Sequence, residues 1–168
     1  MREVINNFLP RHEFLSIKDQ ILSENFPWLL YNKNNHGEML CEDRYNFQLV
    51  HTFYQSPTVI SKYIDLLNPL FAKLNHQLLL RAKANITTCS EKIQIYGFHC
   101  DVPDQLAKIS KTAIFYLNTN DGFTVFKNDQ QKIESIENRI VIFDSDQLHS
   151  GTNCTNQKHR AVININFI

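Results

Sequence analysis

Residues 160–168 read Arg-Ala-Val-Ile-Asn-Ile-Asn-Phe-Ile, and their alternation decides the fold class. Ala161, Ile163, Ile165 and Phe167 are apolar, whereas the even positions are Arg160, Val162, Asn164 and Asn166. A period of two marks an extended strand with one buried face. Two readings account for the polar face. It faces water, as one side of an antiparallel sheet usually does. Alternatively it lines the inside of a roll, where Arg160 requires a buried anion, either an acidic side chain or the carboxylate of a ligand.

Working backwards, residues 78–87, 112–118, 123–126, 132–136 and 139–143 carry the same strand character, and 93–98 lead into His99 as a further strand-like run. Turn residues separate them at 120–122, 128–129 and 137–138. Short strands at regular spacing indicate an antiparallel sandwich or jelly roll. The first third reads as helical, after a short strand over 4–10 that Pro10 stops. Phe14, Ile17, Ile21 and Leu22 recur at helical spacing as far as about Phe26. Ser56-Pro57 reads as a helix start, with Val59, Ile60, Tyr63, Ile64, Leu66 and Leu67 as the buried face. Asn68-Pro69 then interrupts it before a short second helix to about Leu74. Residues 32–38 read as one exposed polar loop. The expectation is a single domain over 1–168 of α+β, mainly β class. About 1–76 supply helices packed on one outer face, and about 77–168 supply the β core.

The chain has 168 residues, with 17 Lys and Arg against 17 Asp and Glu. This balance argues against a nucleic-acid partner, and no basic tail is present. No apolar run is long enough for a bilayer and the N-terminus lacks a signal-peptide layout, so a cytoplasmic protein without a membrane partner is expected. Cys41, Cys89, Cys100 and Cys154 form no C-x-x-C pair, which disfavours structural zinc and suits reduced thiols.

The chemistry-bearing residues stand at strand edges. His99-Cys100-Asp101 places an imidazole and a carboxylate two residues apart, on one side of an extended segment. His149 follows residues 139–144, and Arg160 opens the terminal strand. H-x-D alone is common as a solvated loop pair, and a lone histidine is usually a surface or packing residue. The joint pattern is more specific, because two imidazoles and one carboxylate leave three adjacent positions open on a metal, as in non-haem Fe(II) oxygenases. Cys100 alternates to the opposite face and is expected to pack. His51 reads as a satisfied packing histidine, His159 as peripheral, and His12, His36 and His76 as surface residues.

With these residues in place, the chain resembles the Fe(II)/2-oxoglutarate-dependent dioxygenases, and within them the prolyl-4-hydroxylase-like branch; its short length and residues 81–85 look similar to small bacteriophage members. The resemblance covers roughly the C-terminal half, through 99–101, 112–118, 121–126, 138–144, 149–151 and 160–167. It implies a double-stranded β-helix of jelly-roll, cupin-like form. It implies that His99, Asp101 and His149 hold Fe(II), and that Arg160 meets the distal carboxylate of 2-oxoglutarate. Tyr116 matches a tyrosine that helps hold that carboxylate, although an ordinary core tyrosine explains it equally well. Ile114, Thr124 and Asn164 match pocket walls, with Asn85 contributing from the opposing strand. The implied reaction hydroxylates a C–H bond and decarboxylates 2-oxoglutarate to succinate and CO2, with ascorbate as a reductant. A protein or peptidyl prolyl substrate stands first; a free amino acid, a nucleobase or a non-enzymatic cupin-like metal binder are the alternatives. Two departures stand out. Asp121-Gly122 replaces a pair of glycines, and no tyrosine stands near Thr88 and Cys89. Residues 41–45, 102–111 and 151–158 are expected to set specificity.

Overall fold

A computed structural model describes residues 2–32, 43–45 and 47–168 of the chain. Its elements, in chain order, are β1 (Arg2–Ile5), α1 (Arg11–Ile21), β2 (Leu29–Tyr31), β3 (Gln48–Gln55), β4 (Thr58–Val59), α2 (Asn68–Leu74) and β5 (Leu79–Thr88). They continue with α3 (Asp104–Ala107), β6 (Lys111–Tyr116), β7 (Phe123–Phe126), β8 (Lys132–Glu134), β9 (Ile140–Asp144), β10 (His149–Gly151) and β11 (His159–Phe167). The larger sheet runs β1-β9-β6-β11-β5-β3-β2, with β4 beside β3, and the smaller runs β10-β7-β8. Neighbouring strands pair antiparallel in both. The chain is a double-stranded β-helix, mainly β, with helices on one outer face.

The alternation along β11 sorts its side chains between two environments. Ala161, Ile163 and Ile165 join Ala82, Ala84 and Ile86 of β5 and Phe115 of β6 in a core closed by Phe14, Ile17 and Ile21 of α1. Alanines at three central positions let the bulky α1 side chains approach the sheet, and Phe14 meets Phe115 edge-on at 5.9 Å between ring centroids. Val162 turns the other way, into a second cluster with Ile114, Tyr116, Phe126, Val141 and Phe143 between the sheets. Arg160 shares that inner face and is only 4% exposed. The polar side of the terminal strand therefore lines the interior of the roll.

The first third differs from its helical expectation. Besides α1 it supplies β2, β3 and β4, and β3 pairs with β5 deep in the larger sheet. Ser56-Pro57 lies in the turn between β3 and β4, joined by a cis peptide bond, and starts no helix. Val59 and Ile60, expected on a buried helix face, are exposed. The helical stretch begins later, as a 3-10 segment Lys62–Leu67 whose cap, Ser61, accepts a hydrogen bond from the Tyr63 amide at 3.1 Å. As expected, Asn68-Pro69 separates this stretch from a short second helix, α2, which ends at Leu74; Pro69 sits in its first turn, where the amide it lacks has no intrahelical partner. Residues 93–98 form no strand either. The short β10 and Thr152 after it offer only isolated pairings, Ile95 with Thr152 and His99 with His149. The loop expected over 32–38 and the N-terminal part of 41–45 lie largely outside the described residues, as do His36 and Cys41. Among the described residues no helix is long and apolar enough to cross a membrane.

Candidate metal and co-substrate site

His99 and His149 face each other across an antiparallel pair. The His99 amide donates to the His149 carbonyl at 3.0 Å, and the reverse bond is 3.1 Å. Residues exchanging both backbone bonds project their side chains to one side, and the two rings lie 4.9 Å apart. Asp101, two residues on, returns to the same side. His149 Nε2 lies 3.5 Å from Asp101 Oδ2, and His99 Nε2 lies 3.7 Å from Asp101 Oδ1. One ligand atom from each of the three residues lies within 4.8 Å of the others.

Backbone carbonyls set the tautomers. His99 Nδ1 contacts the Gly97 carbonyl at 3.1 Å, and His149 Nδ1 contacts the Gln147 carbonyl at 3.0 Å. A carbonyl only accepts, so each Nδ1 carries the proton and each Nε2 presents its lone pair to the site. Asp101 is held from its other side, where Arg81 donates to Oδ1 at 2.7 Å. Arg81 is itself oriented by Asn166 Oδ1, which accepts from its Nε at 3.0 Å. Burial works against charge on Asp101, but Arg81 and the two histidines outweigh it and keep the carboxyl well below its usual range. Burial also opposes protonation of His99, yet the nearby Asp101 carboxylate prevails and raises its pKa. A bound cation would replace that proton. Asp101 Oδ2 and His149 Nε2 are buried without a hydrogen-bond partner among the described residues. An unpartnered acceptor beside an unpartnered lone pair is what a cation needs.

Farther along β11 the site changes sign. Arg160 donates from Nε to Ser135 Oγ at 2.8 Å and from Nη2 to Thr124 Oγ1 at 3.1 Å. Burial lowers its pKa, but a guanidinium stays charged in a protein. Among the described residues no carboxylate pairs with it. Thr124 Oγ1 also accepts from the Tyr116 hydroxyl at 2.8 Å. Its two lone pairs are thereby used, and its own proton remains for a third partner.

The two ends open into one cavity of about 460 Å³. Ile114, Thr124, Asn164 and Asn85 line it, and the side-chain Oδ1 atoms of Asn85 and Asn164 are buried there without partners among the described residues. Tyr116 stands elsewhere. It is fully buried behind Thr124, with the Arg160 guanidinium 5.5 Å from its ring centroid, and does not line the cavity. Cys100, expected to turn away, borders the cavity and is only half-buried. His51 fits its packing role, contacting the Pro27 carbonyl and Ser61 Oγ among Phe26, Phe53 and Tyr63. Sequence reasoning missed Arg81, Lys83, Tyr31 and Tyr96 as cavity residues. For the first two, the alternation of β5 was an available cue, since they share the face of Asn85.

The Asp121-Gly122 departure has a structural role on both counts. Asp121 accepts from the Thr155 amide at 2.8 Å and from the Thr155 hydroxyl, tying this turn to the loop that leads to Arg160. A Cβ on Gly122 would stand 2.2 Å from the Asn153 carbonyl oxygen and 2.7 Å from Arg160 Cδ. Backbone on one side and a packed arginine on the other leave it no room. Gly122→Ala is therefore expected to lower stability by about 2 kcal/mol and to displace Arg160. Urea unfolding and the KM for 2-oxoglutarate check this; an unchanged midpoint with an unchanged KM refutes the close fit.

The family model for the 2OG-Fe(II) oxygenase superfamily matches residues 85–168, and the chain belongs to that superfamily. Fe(II) and 2-oxoglutarate are accordingly its cofactor and co-substrate. No curated protein matches the chain by sequence. Solved structures share the fold at low identity. An oxidoreductase of the 2OG-Fe(II) oxygenase family from Burkholderia pseudomallei superposes with a TM-score of 0.68 at 10% identity, over 99% of this chain and 84% of that one. A prolyl-4-hydroxylase from Pseudomonas putida gives 0.64 at 13% identity, over 99% and 91%. The viral collagen prolyl hydroxylase of Paramecium Bursaria Chlorella virus-1, in complex with 2OG, gives 0.61 at 16% identity, over 99% and 96%.

Proposed function

We propose that the whole chain acts as one oxygenase domain that hydroxylates a C–H bond of a peptidyl prolyl residue. In this reading His99, Asp101 and His149 hold Fe(II), while Arg160 and Thr124 receive the distal carboxylate of 2-oxoglutarate. The observation that carries it is the pairing of two unmet needs in one cavity. Among the described residues, Asp101 Oδ2 and His149 Nε2 are buried and unpartnered at one end, and at the other Arg160 is buried without a carboxylate. A ferrous ion meets the first need and a dicarboxylate meets the second.

When bound, iron and 2-oxoglutarate supply O2 activation, with one oxygen atom entering the substrate and the other entering succinate as CO2 is released. The protein's own groups do the rest. Gly97 and Gln147 keep the Nε2 lone pairs directed inwards. Arg81 occupies Asp101 Oδ1 and leaves Oδ2 for the metal. Asn85 and Asn164 offer polar edges to the co-substrate or substrate, and Ile114 and Val162 give the cavity an apolar side. The prolyl assignment is supported by the resemblance in residues 99–167 and by a fold shared with prolyl hydroxylases.

The test incubates the protein with Fe(II), 2-oxoglutarate, ascorbate and a panel of proline-containing peptides. Succinate should form, and a peptide should gain the mass of one oxygen atom at proline. Succinate without any modified peptide would remove the prolyl substrate, and no succinate under any condition would remove the enzyme.

A further inference from the structure

Lys83 is not accounted for by iron and 2-oxoglutarate, and Arg81 only through its contact with Asp101. The inner face of β5 presents Arg81, Lys83, Asn85 and Thr87 in sequence, while Ala82, Ala84 and Ile86 face the core. Register places Thr87 opposite Arg160 and Lys83 opposite Asn164. Lys83 is therefore four residues, or about 13 Å, along the strand from the Arg160 end. That distance exceeds the length of a five-carbon diacid. Lys83 lies at the more open end, where its Nζ sits 5.6 Å from the ring centroid of Tyr31, itself 41% exposed.

Charge accounting shows what is left over. Among the described residues the cavity is lined by three cations, Arg81, Lys83 and Arg160, against one carboxylate, Asp101. A ferrous ion and dianionic 2-oxoglutarate cancel each other, so loading leaves the same excess of two positive charges. Arg160 is matched by the distal carboxylate, and Asp101 with the other carboxylate matches the metal. The surplus falls on Arg81 and Lys83. It is local, because the whole chain is formally neutral. Among the described residues Lys83 forms no ion pair. Burial and the nearby Arg81 push its pKa down to about 8, whereas an anionic partner would raise it.

We propose that Lys83, seconded by Arg81, selects a substrate bearing a carboxylate beside the reacting carbon. This rests on the oxygenase reading above. The carboxylate has two chemical sources, an acidic side chain flanking proline in a peptide or the α-carboxylate of a free amino acid. Lys83 is then a specificity residue at the mouth, whereas Arg81 divides its charge between Asp101 and the substrate.

Binding is measured anaerobically on the full chain loaded with Mn(II) and 2-oxoglutarate, so that no turnover is involved. The probes are proline peptides of one length with glutamate, glutamine or lysine on both sides of the proline, together with free L-proline and L-prolinamide. The glutamate peptide should bind about tenfold more tightly than the glutamine peptide, the scale of one charge-assisted contact. Lys83→Glu should reverse that order in favour of the lysine peptide. If the α-carboxylate is the source, L-proline binds, L-prolinamide does not, and Lys83→Glu abolishes L-proline binding. A ranking indifferent to charge in peptides and free amino acids alike, or one that Lys83→Glu leaves unaltered, overturns the proposal. Failure of the wild-type protein to bind Mn(II) and 2-oxoglutarate at all would instead overturn the oxygenase reading, so the two failures are distinguishable.

Discussion

Asp101→Ala is expected to reduce 2-oxoglutarate-dependent succinate formation to the level of the metal-free protein. In the proposed site the carboxylate is the one anionic ligand, and its Oδ2 is left without a hydrogen-bond partner among the described residues. The same substitution should remove stabilisation by metal. A divalent cation at a hundredfold over its Kd stabilises a folded protein by about 2.7 kcal/mol. For a chain of this size that is roughly 5–10 °C in Tm. The wild type should show the shift with Fe(II) under argon, or with Mn(II), and Asp101→Ala should not.

Loss of fold must be separated from loss of metal. Asp101 is almost fully buried and paired with Arg81, whose side chain is 23% exposed, so alanine also leaves a cation partly buried without its acceptor. With that exposure, the cost is roughly 2 kcal/mol rather than the larger figure for a fully buried pair. Asp101→Asn keeps an oxygen for Arg81 while removing the anionic ligand. It should therefore be more stable than Asp101→Ala, yet equally unresponsive to metal. A metal-induced Tm shift of wild-type size in either variant would show that the ion sits elsewhere.

The readable part of this site was the part written locally. His99 and Asp101 are two residues apart in an extended segment, and their common side follows from backbone geometry alone. The strands β5, β6, β7, β8, β9 and β11 were legible for a similar reason, since each carries, within a few residues, either an alternation or a short apolar run bounded by turn residues. The polarity of β11 was legible but its meaning was not. Whether Arg160 and Asn164 face water or the interior depends on a second sheet, β10-β7-β8, closing over them. Arg81 illustrates the same limit. Its contact with Asp101 spans 20 residues, and its contact with Asn166 spans 85 and depends on β5–β11 register. Local periodicity does not encode register between distant strands. Misreading Ser56-Pro57 has a different origin, because serine and proline suit both a helix start and a tight turn. Exposure of Val59 and Ile60 decides for the turn, and no one-dimensional pattern reports it.

Arg160→Met separates ligand binding from stability in opposite directions. In the unliganded protein the guanidinium is 4% exposed, and no carboxylate pairs with it among the described residues. Its stabilising contacts are the hydrogen bonds to Ser135 and Thr124. Replacing a buried charged group by an apolar one of similar length is commonly neutral or stabilising. The two hydroxyls lose a partner each, but Thr124 keeps the Tyr116 hydroxyl. The unliganded variant should consequently melt within a few degrees of the wild type, or above it. Towards 2-oxoglutarate the effect is large, because removing one partner of a buried charge pair costs about 3–5 kcal/mol. That cost corresponds to a rise of roughly two to nearly four orders of magnitude in KM or Kd. Any Tm gain from 2-oxoglutarate at concentrations that saturate the wild type should vanish. Differential scanning fluorimetry with and without the co-substrate, at fixed Mn(II), reads both effects in one experiment. A variant that still gains the full shift would place the distal carboxylate elsewhere. One that unfolds without ligand would mean that the arginine serves the fold more than the co-substrate.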